Sequence, residues 1–153
     1  MAKSVFFLLF AASLFLTVIA YAEPPLPGPY PATVIAVTDG DTVKVKVRIW
    51  LGLDKEVAVR IKGVDTPEIT HSRCIEEKEL GRKAKRYLES VLPKESMVQL
   101  TNIQRDKYGG RVVASLQTSD HQNIGQLLIN TGLATRYDGK EKKKSWCSPE
   151  TSA

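Results

Sequence analysis

The sequence predicts an α+β fold that is mainly β, with five strands and two helices. Segments in which β-branched residues alternate with polar or charged residues recur along the chain and indicate half-buried strands. One longer amphipathic segment follows the third strand, and a short helical segment lies near the C-terminus. The chain has 153 residues, which suffices for one compact core but not comfortably for two. We therefore expect one folded domain.

The first three strands are predicted at residues 33–37, 43–49 and 57–61. An Asp-Gly pair separates the first two, and such a pair between two strands is a strong turn signal. In the third strand, Arg60 alternates with the apolar residues and is therefore expected on the face opposite to them.

Two helices and two more strands complete the predicted fold. Residues 74–92 form an amphipathic pattern that Pro93 ends, and Glu77 is placed among the polar residues of this helix. Strands are predicted at 97–103 and 111–116, and a short helix at 124–131 is closed by Gly132. The apolar side of the first helix is expected to contain Leu80, Ala84, Tyr87, Leu88 and Val91.

The N-terminus resembles a secretory signal peptide. Lys3 precedes an almost uninterrupted apolar run, and residues 20–22 form a small-x-small cleavage site. We expect residues 1–22 to be removed, leaving a secreted or periplasmic protein without stable membrane association. An uncleaved membrane anchor is the alternative, although the run is short for a spanning helix. Residues 23–32 are expected to form an irregular leader, 33–147 the folded domain and 148–153 a frayed C-terminus.

The chain is mildly basic, with 22 Lys and Arg against 17 Asp and Glu. Residues 1–22 contain Lys3 as their only charged side chain, so the formal net charge falls from +5 to +4 without them. This balance favours polyanionic partners without proving them. A lysine cluster at residues 140–144 is expected to be a solvated tail, with a nonspecific phosphate contact as the alternative.

Two acidic turns carry the main functional signal. Residues 39–42 read Asp-Gly-Asp-Thr, and residues 65–68 read Asp-Thr-Pro-Glu. Alone, the first would more often be a simple hairpin turn. Pro67 disfavours the α conformation at Thr66, which leaves the Thr66 carbonyl available as a ligand. Oxygen ligands without an adjacent His or Cys suit calcium or magnesium rather than zinc.

With residues 106–111, these turns match three blocks of the staphylococcal nuclease family in the same order, and the chain resembles that family from residue 33 to about 137. The resemblance implies a five-stranded Greek-key barrel of the OB type. It also implies that Ca²⁺ is held by Asp41, Asp65 and the Thr66 carbonyl, and that Glu68 assists the attacking water. The phosphate is expected to be bound by Arg60 and Arg111. The nucleotide is expected to contact Lys107, Tyr108 and Tyr137.

The implied activity is an exported, monomeric, calcium-dependent nuclease that hydrolyses DNA and RNA with low sequence specificity and leaves 3′-phosphate products. Tyr137 fits a packing role equally well. The competing interpretation is a noncatalytic OB-fold module that binds nucleic acid. Such a module has no use for Asp41, Asp65 and Glu68, because carboxylates repel phosphate unless a cation intervenes.

The third block departs from the family by one extra residue, since Gly109 and Gly110 precede the arginine. We assign the phosphate-binding role to Arg111, because the apolar residues 112–114 then keep the correct face. An ungapped alignment would turn that strand by one residue and move its apolar side chains to the wrong face.

Cys74 and Cys147 are the two cysteines of the chain. In an exported protein they favour a disulfide, and two free thiols are the alternative. His71 and His121 fall outside the matched blocks, so both are expected at the surface rather than in catalysis.

Overall fold

The computed structural model describes residues 23–140 and 145–148. The predicted signal peptide lies outside this part of the chain, as does most of the predicted frayed C-terminus. No helix within the described residues is long and apolar enough to cross a membrane. In chain order the elements are β1 Tyr30–Asp39, β2 Thr42–Trp50, β3 Leu53–Ile61, β4 Val64–Asp65, α1 Ile75–Val91, β5 Met97–Arg105, β6 Arg111–Thr118, α2 Ile124–Asn130 and β7 Thr135–Arg136.

Five of the strands form a closed barrel in the order β1-β2-β3-β6-β5. Strands β3 and β6 pair in parallel, and the other neighbours pair antiparallel. The predicted α+β fold, mainly β and of the OB type, is confirmed, with α1 inserted after the third barrel strand. Alternation along the strands turns one set of side chains into the core, where Val34, Val45, Val59 and Leu116 are fully buried.

The predicted irregular leader, residues 23–32, is wrong in its last part, because β1 begins at Tyr30. Pro31 lies opposite Gln99 of β5, whereas pairing with β2 begins only at Ala32. Proline has no backbone N–H to donate to a neighbouring strand. Because Pro31 precedes the first residue that pairs with β2, it removes no hydrogen bond between β1 and β2. Leu26 also pairs with Ile103 through two backbone hydrogen bonds of 2.9 Å.

Strands β4 and β7 form a separate two-stranded sheet that the sequence analysis did not predict. Two-residue strands carry no readable alternation. In this pair Asp65 lies opposite Thr135, and the Tyr137 backbone N–H donates to the Gly63 carbonyl at 3.0 Å. The pair therefore holds the second acidic turn against the chain around Tyr137.

Helix α1 packs on the barrel through one face that contains Gly81, Ala84 and Leu88. Glu77 lies on the same face and is buried, so its placement among the solvent-facing polar residues is wrong. The spacing of 77, 81, 84 and 88 is that of one helical face. The Cys74 sulfur accepts a hydrogen bond from the Glu77 N–H at 3.3 Å and caps the helix.

A disulfide joins Cys74, at the N-terminus of α1, to Cys147, with their Cα atoms 5.9 Å apart. The disulfide is thus confirmed over the alternative of two free thiols. Trp146, the residue before the bridge, is buried. The crosslink fastens the C-terminal segment beside the helix that packs against the two acidic turns.

Candidate active site

The first acidic turn joins β1 to β2 and is tightly enclosed. A Cβ on Gly40 would lie 2.8 Å from the Thr66 side-chain oxygen and 3.0 Å from the Ala84 Cβ. Only glycine fits such a close approach. The Asp41 carbonyl accepts a hydrogen bond of 2.8 Å from the Ile61 N–H, which ties the turn to the end of β3.

The second acidic turn follows β4 and rests on helix α1. A Cβ on Gly81 would lie 2.7 Å from the Pro67 carbonyl oxygen, so the helix approaches the turn as closely as a glycine allows. Asp65 and Thr66 are each about 3 % exposed. The two turns therefore pack against each other and against α1, which explains how residues separated in sequence share one site.

Arg60 lies between the two turns. Its guanidinium donates to the Asp41 carboxylate at 2.6 Å, lies 3.7 Å from the Asp65 carboxylate and also contacts the Val64 carbonyl at 3.3 Å. Burial lowers the pKa of Arg60, but the charge and hydrogen bond of Asp41 and the charge of Asp65 outweigh burial and raise it. Arg60 therefore stays positively charged at any working pH.

Asp39 joins this acidic group, although the sequence analysis gave it no role. Burial raises the pKa of its carboxyl, and the nearby carboxylates of Asp41 and Glu68 raise it further, against the lowering effect of the Gly40 N–H. The Gly40 N–H donates to the Asp39 carboxylate at 2.8 Å. The positive charge of Lys85 also lowers this pKa, but burial and the two carboxylates outweigh it. The repeated Asp in residues 39–41 was the signal that could have found it.

The turn between β5 and β6 also contributes residues to the site. Arg111 donates from Nε to the Asp106 carboxylate and lies over the Tyr108 ring, 5.8 Å from its centre. Lys107 lies over the same ring at 5.1 Å. Burial raises the pKa of Asp106, but Arg111 and the N–H groups of Tyr108 and Lys107 outweigh burial and lower it. Asp106 thus remains ionised and holds Arg111 by its Nε edge.

The Tyr137 ring lies against Arg60, and the guanidinium carbon of Arg60 is 5.8 Å from the ring centre. The phenol is half-buried and lines the same cleft as Arg60. It therefore packs against a site residue and also presents a face to the cleft.

These groups line one open cleft of about 540 Å³. Asp65 is buried beside this lining rather than in it. Residues of both acidic turns line the cleft, together with Arg105, Lys107 and Arg111 from β5, β6 and the turn between them. Eight of the nine predicted site residues line the cleft: Asp41, Arg60, Thr66, Glu68, Lys107, Tyr108, Arg111 and Tyr137.

Glu77 supports the second acidic turn from within helix α1. Its carboxylate accepts from the Arg73 N–H at 2.7 Å and from the Glu68 N–H at 3.4 Å. A buried carboxylate in the first turn of a helix is also favoured by the helix dipole. Glu77 thus holds the backbone of Glu68 without entering the cleft. In the sequence, the position of Glu77 one helical turn before Gly81, on the same face as Ala84 and Leu88, could have indicated that Glu77 is buried.

The two acidic turns fit a hard divalent cation. Asp41 and Asp65 are buried and face one shared guanidinium, and Asp39 and Glu68 add further negative charge close by. Carboxylate and carbonyl oxygens are the ligands that calcium and magnesium prefer. A second group of potential ligands, Cys74, Glu77 and Cys147, is excluded as a thiolate metal site because the disulfide consumes both sulfurs.

The chain is similar in sequence to known proteins. The model of the family described as "Staphylococcal nuclease homologue" matches residues 58–152. The chain belongs to the staphylococcal nuclease family. The match begins within β3, so it includes Arg60 and both later blocks but not the first acidic turn. The Asp41–Arg60 ion pair connects that turn to the matched region.

Three proteins from bacteria are similar to this member of the staphylococcal nuclease family. The endonuclease YhcR of Bacillus subtilis (strain 168) is 34 % identical over 122 residues, which cover 76 % of this chain and 10 % of YhcR. Proteins named uncharacterized endonuclease, from Escherichia coli and from Escherichia coli O157:H7, are each 27 % identical over 123 residues, or 80 % of this chain and 71 % of theirs. The chain thus spans about a tenth of the Bacillus protein.

Proposed function

We propose that this chain is an endonuclease that hydrolyses phosphodiester bonds of DNA and RNA. The observation that carries the proposal is the position of Arg60, held between Asp41 and Asp65 in a cleft that Arg111 also lines. Membership of the staphylococcal nuclease family and the endonuclease names of the three similar proteins support the same enzyme class.

A phosphodiester resists attack because its anionic oxygens repel the nucleophile, and the transition state places further negative charge on them. Positively charged residues in the cleft suit this chemistry because they offset that charge. Arg60 and Arg111 each offer a planar fork of N–H donors that matches two phosphate oxygens. Asp106 engages Nε of Arg111, which orients that fork. Glu68 lines the cleft and is the group that accepts a proton from the attacking water.

We propose Ca²⁺ as the metal, held by Asp41, Asp65 and the Thr66 carbonyl. When bound, the ion supplies electrostatic stabilisation of the phosphate and offsets the repulsion between phosphate and these carboxylates. Four carboxylates lie close together around Arg60, those of Asp39, Asp41, Asp65 and Glu68, and this concentration of acids is the structural reason for expecting a cation at this end of the cleft.

The remaining features of the proposal follow the sequence. The protein is exported to the periplasm or the medium after loss of residues 1–22, and it acts as a monomer. Specificity for base sequence is low, because the cleft offers charged groups and two tyrosine rings, and these recognise backbone and base faces rather than base edges. Cleavage leaves 3′-phosphate ends.

The test is incubation of residues 23–153 with plasmid DNA, single-stranded DNA and RNA, with Ca²⁺ and then with a chelator. We expect cleavage only with Ca²⁺, and end-labelling should show 3′-phosphate products. Glu68→Gln should lower the rate by about a hundredfold or more. Loss of cleavage with retained gel-shift binding in that variant would assign Glu68 to chemistry rather than to binding.

Arg82→Lys is the matched control for basic-residue variants, because Arg82 is exposed on α1 and paired with Glu79 outside the cleft. It should cleave as the parent does. Binding of single strands without cleavage under any metal condition would favour the noncatalytic module. Cleavage that persists in chelator would contradict the proposed calcium dependence, but it would still agree with an endonuclease.

A further inference from the structure

The tip of the hairpin formed by β2 and β3 exposes four large apolar side chains within five residues. Ile49 is 57 % exposed, Trp50 73 %, Leu51 87 % and Leu53 55 %. Scattered exposed apolar residues are common on protein surfaces, but a contiguous group indicates a contact surface. We call residues 49–53 the apolar tip.

The apolar tip is a projecting part of the fold rather than a loosely packed piece of the core. Trp50 pairs with Leu53, and a register shift after Arg48 leaves Ile49 as an extra residue of β2. Gly52 has φ +75° and no atoms within 4 Å of where a Cβ would lie. The strand ladder therefore holds the tip in place, while its four large side chains lie outside the hydrophobic core.

The apolar tip is also remote from the cleft. Strand β2 begins at Thr42, beside the first acidic turn, and ends at Trp50. At about 3.3 Å per residue, these nine positions place the tip roughly 25 Å along the strand from that turn. Substrate in the cleft therefore does not explain the exposed side chains.

The stem of the hairpin that carries the apolar tip is basic. The hairpin stem carries Lys44, Lys46, Arg48 and Lys55 against the carboxylates of Asp54 and Glu56, a net of two positive charges. Lys44 pairs with Glu56, and Arg48 with Asp54. The cations nearest to the apolar tip are Lys46, Arg48 and Lys55, and we call them the basic collar. Their charge favours an anionic partner.

We propose that the apolar tip and its basic collar dock this domain on an anionic lipid bilayer. Leu51 and its aliphatic neighbours enter the boundary between headgroups and acyl chains, and Trp50 lies at headgroup level, where its amphipathic ring is favoured. Lys46 and Lys55 meet lipid phosphates. The contact is peripheral and reversible, so it refines the expectation that no stable membrane association follows removal of the leader.

The composition of the tip favours lipid over two other occupants. Three of its four large side chains are aliphatic, and bases stack on aromatic rings rather than on aliphatic chains. A second copy would bring two positively charged stems together, which repel. A bilayer accepts the aliphatic chains, the indole and the lysines at once.

The experiment measures binding of residues 23–153 to vesicles of phosphatidylcholine alone and of equal parts phosphatidylcholine and phosphatidylglycerol. Co-sedimentation should occur with the anionic vesicles and fall as salt is raised. Tryptophan emission should shift to the blue, and this reports Trp50, because the only other tryptophan, Trp146, is already buried.

Leu51→Ser should lower vesicle affinity by about tenfold or more, because it removes an apolar group that the bilayer would bury. Ile75→Ser is the matched control, since Ile75 is also apolar and 78 % exposed but lies at the start of α1. It should bind as the parent does. Both variants should keep the parent's activity on short oligonucleotides without vesicles, which separates this proposal from the proposed function.

Three results would overturn the proposal. The first is equal vesicle binding by Leu51→Ser and the parent, and the second is no binding to either vesicle. The third is a different occupant: self-association that Leu51→Ser abolishes, or a Trp50 emission change with single-stranded DNA but not with vesicles.

Discussion

At the scale of single residues, the two arginines of the cleft are held in different ways. Arg60 is fixed by two buried carboxylates and a backbone carbonyl, and its side chain is only 18 % exposed. Arg111 is more open and is anchored by Asp106 through Nε. Arg60 therefore organises the site as well as facing the cleft, whereas Arg111 is the arginine freer to follow the substrate.

Arg111→Lys should lower kcat by about a hundred- to thousandfold with a modest change in KM. A point charge cannot replace a fork that bonds two phosphate oxygens, and one preorganised donor removed from the transition state costs about this much. Steady-state kinetics on a defined oligonucleotide measure both constants.

Arg105→Lys tests the competing alignment of the third block, because Arg105 also lines the cleft but is highly exposed and paired with Glu23. Its kcat should stay near that of the parent. A large loss of kcat in Arg105→Lys together with a nearly normal kcat in Arg111→Lys would contradict the assignment. The phosphate-binding role would then belong to Arg105, on the other side of Asp106.

Asp39→Asn should raise the melting temperature of the metal-free protein at neutral pH. Since the folded-state pKa of Asp39 lies above its ordinary value of about 3.9, the ionised carboxylate destabilises the fold at any pH above that raised pKa. Below the ordinary value the carboxyl is protonated in both states, so the difference between variant and parent should shrink as the pH falls. Thermal melts in chelator across this range measure it.

A pH-independent difference between Asp39→Asn and the parent would mean that a lost or gained contact, rather than ionisation, determines the effect. Added Ca²⁺ should reverse the order at neutral pH, because a cation favours the ionised carboxylate that the amide lacks.

Much of the site could be predicted at this scale. Residues 39–42 and 65–68 carry their chemistry in short contiguous motifs, so Asp41, Asp65, Thr66 and Glu68 are readable without a structure. The repeated Asp in residues 39–41 pointed to Asp39 as well, but its burial and its closeness to Asp41 and Glu68 are visible only in the structure.

At the scale of elements, helix α1 forms the layer behind both acidic turns. Ala84 lies against the Gly40 turn, Gly81 against Pro67, and Glu77 bonds the backbone of Glu68. Small residues bring the helix close, and one buried carboxylate binds the turn to it. The second turn is therefore held on the helix by close packing and by a hydrogen bond.

Glu77→Gln should lower kcat by about ten- to hundredfold and leave KM nearly unchanged. A glutamine retains one acceptor oxygen where the carboxylate serves two N–H groups, so the backbone of Glu68 loses part of its support. Small displacements of a catalytic group cost rate in this range. Kinetics and thermal melts together measure the effect.

Glu76→Gln is the control, since Glu76 occupies the same helical turn but is exposed. It removes the same charge near the helix N-terminus and should leave kcat unchanged. Equal losses in both variants would attribute the effect to helix electrostatics instead of to the turn.

The main elements were predictable because each has a clear period. Helix α1 and the five barrel strands appear where alternation or helical spacing placed them. The face of α1 was misassigned at Glu77, since a carboxylate reads as polar until its backbone partners are known. Strands β4 and β7 were missed because pairing across the chain, rather than local pattern, creates them.

At the scale of the whole molecule, the disulfide connects residues 73 positions apart and fastens the C-terminus to the helix behind the site. A crosslink over so long a segment removes entropy from the unfolded chain, with a ceiling of about 4.5 kcal/mol. The sequence showed two cysteines in a chain predicted to be exported but not their distance, so only the structure decides between a bridge and two thiols.

Reduction should lower the melting temperature by roughly 5–15 °C while leaving the metal requirement of cleavage unchanged. The double variant Cys74→Ser with Cys147→Ser should behave similarly, because a serine at position 74 keeps the helix cap. Calorimetry with and without reductant measures the change. An unaltered melting temperature, or two free thiols found by mass spectrometry in exported protein, would contradict this role of the bridge.

The parallel pairing of β3 with β6 sets Ala58 opposite Arg111 and Arg60 opposite Val113. This ladder fixes the distance between the two arginines whatever the length of chain that connects their strands. That connection contains β4, α1 and β5, and doubling the length of a flexible loop between such elements costs only about 0.6 kcal/mol. Insertions and deletions between the strands can therefore accumulate over evolution while the two arginines stay in place. The number of residues separating Arg60 from Arg111 is thus a poor measure of kinship, and distant homologues are better sought by matching the ladder than by counting positions.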